Sequence, residues 1–214
     1  NLIRGIDINK SFEDRKKSQG SSIVISIDGS SSMNNERIKI AQKLVATIYE
    51  SLKGISEIEV KGNIWAGNEM GDVGITEING MNDVKKITTG SLEGGYFSTP
   101  THMGLEYSGR MLKKMKGEKK LLILITDGFP NHFKNKTNLQ SVHYHKVCKK
   151  SLENVLQITP NVLFFIVANK EHSFYFNKLF GEKRIIYVNN MNKAFDSVVK
   201  QFRKFVQYNS MNFF

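Results

Sequence analysis

The chain has 214 residues, of which 40% are hydrophobic and 24% charged, which is typical of a globular domain and not of a disordered chain. No apolar run approaches the ~20 residues that a membrane-spanning helix needs, so we expect no membrane span. The net charge of +11 would suit an acidic partner or nucleic acid. The lysines are scattered, however, without an arginine cluster or an aromatic ladder, so we do not expect nucleic acid to be the main partner.

The N-terminal quarter of the chain contains an arm, a strand and a helix. Residues 1–20 are polar and without period, and we interpret them as an N-terminal arm or linker. The predicted domain covers residues 21–208, and residues 209–214 form a tail. The β-branched run Ser22–Ile27 predicts a buried strand. The apolar residues of Glu36–Leu52 recur at helical spacing and predict an amphipathic helix.

The middle of the chain predicts a hairpin followed by helices. Ile58–Trp65 and Val73–Ile78 are strand-like runs on either side of a turn-forming stretch, which indicates a β-hairpin. We predict a short helix at Asp83–Thr89, a glycine-containing loop at Gly90–Pro100 and a longer helix at His102–Met115.

The second half of the chain continues the alternation of strands and helices. Leu121–Thr126 is the most apolar strand. The remaining predicted elements are the helix Leu139–Gln157, the strand Val162–Ala168, the short helix Phe174–Phe180, the strand Arg184–Val188 and an amphipathic C-terminal helix that includes Met191, Phe202 and Val206. This order predicts an α/β fold, in which a three-layer, doubly wound, mainly parallel sheet has one antiparallel edge strand.

Polar oxygen groups are concentrated in three segments near the predicted carboxyl ends of strands, where functional groups of such sheets gather. The segments are Asp28–Ser32 after the first strand, Ser98–Thr101 before a helix and Asp127–Gly128 after the most apolar strand. They supply two carboxylates and several hydroxyls, with no histidine or thiol. This set suits a hard cation, Mg²⁺ or Mn²⁺, better than zinc.

The spacing of the first segment has a physical use. Gly29 allows the backbone to turn sharply after the strand, and in such a turn Asp28, Ser30 and Ser32 can point into one site. Two carboxylates balance a doubly charged ion, whereas hydroxyls are neutral ligands. The ion would therefore remain able to bind a carboxylate from an outside partner.

These segments resemble the metal-ion-dependent adhesion site of von Willebrand factor A domains. Residues 23–33, Ile-Val-Ile-Ser-Ile-Asp-Gly-Ser-Ser-Ser-Met, resemble the Asp-x-Ser-x-Ser signature that opens that site. Ser98–Thr101, followed by a helix, looks like the family's second loop, with Thr99 in the place of its threonine and Thr101 as the close alternative. Residues 123–128, Ile-Leu-Ile-Thr-Asp-Gly, resemble its third element, an aspartate that ends a buried strand.

The resemblance spans roughly residues 20–206 and implies that one divalent ion holds a partner protein through a Glu or Asp carboxylate of that partner. The implied metal ligands are Asp28, Ser30, Ser32, Thr99 and Asp127. The expected rim residues are Gly29, Thr101, His102, Gly128 and His132. Two alternatives stay open, because the first motif alone could be a turn with a helix cap, and a site can keep these residues without binding metal.

The C-terminal third of the chain resembles one group within this family. Residues 168–172, 180–182 and 185–188, followed by an amphipathic helix, are similar to the tails of the CobT, NorD and CbbO group, which works with AAA+ ATPases of the MoxR or chelatase kind. This implies an intracellular adaptor that couples such an ATPase to a client enzyme. The single cysteine, Cys148, allows no intrachain disulfide, so we expect a cytoplasmic protein. The alternatives are a nucleic-acid-associated domain that uses its basic surface and an extracellular adhesion module.

Catalysis is not expected from this chain. Ser30 and Ser32 have no recognisable His–acid pair to activate them, and no phosphate-binding glycine loop is present. His143, His145 and Cys148 suggest a soft-metal site at first sight. On a helix, however, positions 143 and 145 face different directions, so we interpret this segment as a solvated helix with one half-buried cysteine.

Overall fold

The described residues of the computed structural model are 20–34, 36–53, 55, 57–68, 71–88, 98–128, 130–131, 140–168 and 173–188. The predicted arm before Gly20, the C-terminal helix and tail, and His132 lie outside these ranges. The predicted domain boundaries therefore stay predictions.

Six strands form one sheet: β1 (Ser21–Asp28), β2 (Ile58–Gly67), β3 (Val73–Ile78), β4 (Lys119–Thr126), β5 (Val162–Ile166) and β6 (Ile185–Tyr187). Their spatial order is β3-β2-β1-β4-β5-β6. Every neighbouring pair is parallel except β2 and β3, which pair antiparallel. The predicted mainly parallel sheet with one antiparallel edge strand is confirmed.

Strand β1 lies in the interior of the sheet, between β2 and β4, and all eight of its residues are buried. Because both of its faces are covered, its sequence is a near-continuous β-branched run and not an alternation of apolar and polar residues. The register pairs Asp28 with Trp65 of β2, and Ile27 with Ile125 of β4. The carboxyl ends of β1 and β4 therefore lie side by side at one edge of the sheet.

Within the described ranges, four α-helices cover the sheet: α1 (Glu36–Leu52), α2 (Thr101–Lys114), α3 (Gln140–Leu156) and α4 (Ser173–Phe180). The apolar stripe of α1 shares a core with Ile23, Ile25 and Ile27 of β1. On the opposite face, α2, α3 and α4 share a second core with Val24 and Phe164. Helices on both faces of one sheet make the predicted three-layer, doubly wound arrangement. None of the described helices is long and apolar enough to cross a membrane.

The element bounds differ from the predictions by a few residues, and one element differs in type. The predicted helix at Asp83–Thr89 is a 3-10 helix at Met81–Lys86 with no buried residue. Of its two apolar side chains, Val84 is partly buried against the core and Met81 is exposed, so this short segment lacks the apolar stripe whose packing stabilises an α-helix. The last strand begins at Ile185 and not at Arg184, because Glu182–Arg184 forms a 3-10 turn.

Helix α2 approaches the sheet closely at Gly104, where a Cβ would lie under 3.0 Å from three indole atoms of Trp65. Polar groups buried beneath the helix add to this contact. The Trp65 indole N–H donates to Ser26 Oγ at 2.8 Å, and Asn63 Nδ2 donates to Ser108 Oγ of α2 at 3.0 Å. The position of α2, which begins beside the candidate site, therefore depends on the small size of Gly104.

Gly104→Ala should destabilise the protein, although alanine favours a helix over glycine by about 1 kcal/mol. Overpacking against Trp65 should outweigh that gain and give a net loss of about 1–2 kcal/mol in the free energy of unfolding. Gly109→Ala in the same helix is the matched control, because its Cβ would meet only side-chain ends of Val155 and Ile158, at 3.3 Å. Urea unfolding of both variants measures the difference, and equal stabilities would contradict a role for the close approach.

Candidate functional site

Asp28 ends β1 with no exposed surface. Its Oδ1 accepts the backbone N–H of Ser30 at 2.9 Å, and its Oδ2 accepts the hydroxyl of Thr126 at 2.6 Å. Thr126 ends β4, one position beyond the pair Ile27–Ile125, so the parallel register brings the two side chains together. Sequence analysis missed Thr126, and the strand register is the signal that could have identified it.

A chain of hydrogen bonds joins the other four predicted ligands. Thr99 Oγ1 donates to Ser30 Oγ at 3.1 Å, and the hydroxyl oxygens of Ser30 and Ser32 lie 3.1 Å apart. The Ser32 hydroxyl donates to Asp127 Oδ1 at 2.8 Å. Since the backbone of Ser30 also contacts Asp28, the structure brings all five predicted ligands, from three separate segments, into one network. Only Ser32 among the five is exposed, so the network reaches solvent there.

The two carboxyl groups of the network affect each other electrostatically. Burial and, as a smaller cause, the negative charge of Asp127 raise the pKa of Asp28 to about 7, while hydrogen bonds from Thr126 and Ser30 act in the opposite direction. Near neutral pH, the Asp28 carboxyl therefore holds its proton part of the time when no cation is present.

A third charged group, Arg37, contacts the site from the first turn of α1. Its guanidinium forms an ion pair with Asp127 Oδ2 and donates to the Ser32 carbonyl oxygen at 3.1 Å. The Arg37 side chain is 48% exposed, whereas that of Asp127 is 0% exposed. Arg37 therefore separates the Asp127 carboxylate from solvent. Sequence analysis missed Arg37, since it belongs to no motif and its contact spans 90 positions of sequence.

The loop that carries Thr99 is held on two sides. Asn131 forms two hydrogen bonds with the backbone of Thr99. Its side-chain Oδ1 accepts the Thr99 N–H at 2.8 Å, and its backbone N–H donates to the Thr99 carbonyl oxygen at 3.0 Å. Ser98 forms an isolated antiparallel bridge with Gly67 at the end of β2. Asn131 is a third residue that sequence analysis missed, and it fixes the distance between the second and third segments.

Of the two predicted rim glycines, only Gly128 adjoins the hydroxyl groups. A Cβ at Gly128 would lie 3.5 Å from the side-chain oxygens of Ser32 and Thr99. Gly29 instead faces Ile64, where a Cβ would lie 2.8 Å from Cγ1. The glycine there permits the close approach of strand β2 to the end of β1. Its φ is not positive, so close packing, and not the predicted sharp turn, is what requires a glycine at this position.

The other rim predictions have different surroundings. Thr101 is fully buried at the start of α2, and its hydroxyl contacts the Thr99 carbonyl at 3.5 Å. The ring of His102 is half-buried and stacks on Tyr144, with 6.1 Å between centroids. His132 lies outside the described residues. The rim assignments stay predictions.

The prediction that Cys148 is half-buried is wrong. Cys148 is fully buried among the apolar residues of α2, α3 and α4, and burial raises the pKa of its thiol to about 12. It is buried because it lies on the face of α3 that packs against α2.

In the part of the chain that the structure describes, no three His, Cys, Asp or Glu side chains form a group that could hold a metal ion. The five-ligand site contains only two carboxylates.

The donor set fits a hard divalent ion. An octahedral Mg²⁺ site with bonds of 2.0–2.1 Å separates adjacent ligand oxygens by about 2.9 Å. Three oxygen pairs in the network are 2.8–3.1 Å apart. Hydrogen bonds account for the same distances, so the spacing admits an ion without requiring one. Asp28, Ser30, Ser32, Thr99 and Asp127 are the residues that would hold it.

Comparison with solved structures identifies the fold. The vWF domain of the type V pili tip protein Mfa5 from Porphyromonas gingivalis matches with a TM-score of 0.58 and 14% identity, covering 86% of this chain and 95% of that one. The fold is of the von Willebrand factor A type. No family model and no curated protein matches the sequence.

Two longer proteins contain a similar vWA-like fold. The pilus adhesin SpaC from Lactobacillus rhamnosus GG matches in its open conformation with a TM-score of 0.65 and 13% identity over 89% of this chain. A mutant of the PilB minor pilin from Streptococcus sanguinis matches with a TM-score of 0.63 and 15% identity over 95% of this chain. The chain spans only 30% of SpaC and 63% of PilB. At these identities, the likeness shows the fold alone.

Within this vWA-type fold, the five predicted ligands lie at the carboxyl edge of the sheet, where the sequence resemblance implies an adhesion site. The predicted ligands come from the sequence resemblance. The structure shows in addition that Thr126, Arg37 and Asn131 contact them. Metal binding at this edge stays a prediction.

In metal-free protein, the free energy of unfolding should fall as pH rises from about 4 towards 7. Over this range, native Asp28, with its raised pKa, keeps a proton that unfolded Asp28, with its ordinary pKa of 3.8, has lost. The contribution is at most about 1.4 kcal/mol per pH unit. Urea unfolding in the presence of a chelator, at a series of pH values, measures it.

Asp28→Asn should remove this contribution, whereas Glu118→Gln, at an exposed position away from the site, should leave it in place. An unchanged pH dependence in Asp28→Asn would assign the effect to a different group.

Proposed function

We propose that this chain is a protein-binding module that holds its partner through a divalent ion, Mg²⁺ or Mn²⁺, at the site of Asp28, Ser30, Ser32, Thr99 and Asp127. The observation that supports the proposal is the single hydrogen-bonded network that joins these five side chains. When bound, the ion would supply a Lewis-acidic position that an outside carboxylate can occupy.

The chain's own residues favour an acidic ligand. The two carboxylates of Asp28 and Asp127 balance a doubly charged ion, and the three hydroxyls add no charge. The chain as a whole carries a net charge of +11, which attracts an acidic ligand to an ion held in this site. Ser32 is exposed, which gives a partner's Asp or Glu a route to the site from solvent.

For the setting of this interaction, we propose adhesion outside the cell. Similar folds occur in proteins described as a pilus adhesin, a minor pilin and a pili tip protein. These structures favour the extracellular alternative over the intracellular AAA+ adaptor, which they do not support. The MoxR-like partner and the cytoplasmic location stay predictions, as does the absence of catalysis.

Calorimetric titration with Mg²⁺ and with Mn²⁺ should show saturable binding that Asp28→Asn abolishes. The substitution keeps the shape of the side chain and removes the charge that an ion needs. Ser31→Ala is the matched control, because Ser31 is exposed between two predicted ligands and its side chain is outside the network. It should bind both ions as the unmodified protein does.

Acetate added to the Mn²⁺-loaded protein provides a probe for the partner's carboxylate. It should bind only when the ion is present. Absence of any metal binding in the unmodified protein would overturn the proposal, and equal metal binding by Asp28→Asn would overturn this assignment of the site.

A further inference from the structure

Arg37 gives the candidate site a cation of its own. Its guanidinium pairs with Asp127 Oδ2, while Asp127 Oδ1 accepts the hydroxyl of Ser32. Both oxygens of this predicted metal ligand are therefore engaged by the protein's own groups. Arginine is positively charged at all physiological pH values. It therefore balances the negative charge of one of the two buried carboxylates for as long as the ion pair persists.

The same guanidinium also holds the first loop. It donates to the carbonyl oxygen of Ser32 at 3.1 Å, so one side chain from α1 contacts both the first and the third segment of the site. Arg37 thus connects two of the segments that an ion would connect.

Arg37 is placed to leave without unpacking the core. Its side chain is 48% exposed, and Arg37 is not part of the apolar stripe of α1. A long side chain at such a position can extend into solvent at little cost in packing. A guanidinium that remained in contact with Asp127 would lie within a few ångströms of any bound divalent ion, where like charges repel.

We propose that Arg37 is a tethered competitor for the divalent ion. It stabilises the metal-free site by pairing with Asp127, and it is displaced from that carboxylate when the site is loaded. The inference rests on the proposed function, since it describes the regulation of the same site. It implies that the affinity for the ion is set by an intramolecular exchange of one cation for another.

Arg37→Gln tests the competition, with Lys39→Gln as the matched control. Lys39 is exposed on the same helix, so its substitution makes the same change in net charge away from the network. In calorimetric titration with Mg²⁺, Arg37→Gln should bind about tenfold more tightly than the unmodified protein, and Lys39→Gln within about twofold, because exposed distant charges are screened. Arg37→Lys, which keeps the charge, should stay nearer to the unmodified protein.

Stability provides an independent measurement. Without divalent ions, the urea midpoint of Arg37→Gln should be lower than that of the unmodified protein, because Asp127 has lost its counter-ion. With saturating Mg²⁺, that deficit should disappear. The fluorescence of Trp65, the single tryptophan, reports unfolding in both conditions.

The possible outcomes separate this inference from the proposed function. Mg²⁺ binding by the unmodified protein, with equal or weaker binding by Arg37→Gln, would overturn the inference alone. Tighter binding by Arg37→Gln, or binding by that variant only, would support it. Absence of Mg²⁺ binding in the unmodified protein and in every variant would overturn the proposed function and the inference together.

Discussion

The carboxyl group of Asp28 is wholly removed from water at the end of the central strand, and much of the site is organised around that burial. An ionised carboxylate in such a place needs hydrogen bonds or a nearby positive charge, because desolvation penalises its charged form. Thr126 and the backbone of Ser30 provide the hydrogen bonds. Asp127 adds a second negative charge, which increases the need for a cation. Partial protonation of Asp28 and the positive charge of the Arg37 guanidinium both reduce the negative charge buried at the site.

The sheet order is what brings these groups together. Strand β1 has β4 on one side and β2 on the other, so the segments that follow β1 and β4 begin next to each other. The Thr99 segment comes from elsewhere and is held by Asn131 and by the bridge between Ser98 and Gly67. The close packing of α2 on Trp65 then keeps the start of that helix at the same edge. The site therefore depends on contacts between segments distant in sequence.

The network has properties that suit a switchable binding site. The spacing of its oxygens admits a small hard ion, and hydrogen bonds and one ion pair satisfy the same oxygens without it. Such a site need not unfold when empty, and its affinity is the difference between two sets of interactions.

The sequence by itself determined the layered α/β fold, and it predicted the five side chains that the structure joins in one hydrogen-bonded network. The buried strands are continuous apolar runs, the helices have one apolar stripe each, and the ligands lie directly at element ends, so local patterns carry this information. The limits of sequence prediction appear at Met81–Lys86, where only Val84 packs against the core and a 3-10 helix forms, and at Cys148, whose burial depends on helix packing. Only the tertiary structure decided that Thr126, Asn131 and Arg37 contact the ligands. Their contacts cross up to 98 positions of sequence and follow from strand register and loop placement, which no local pattern encodes.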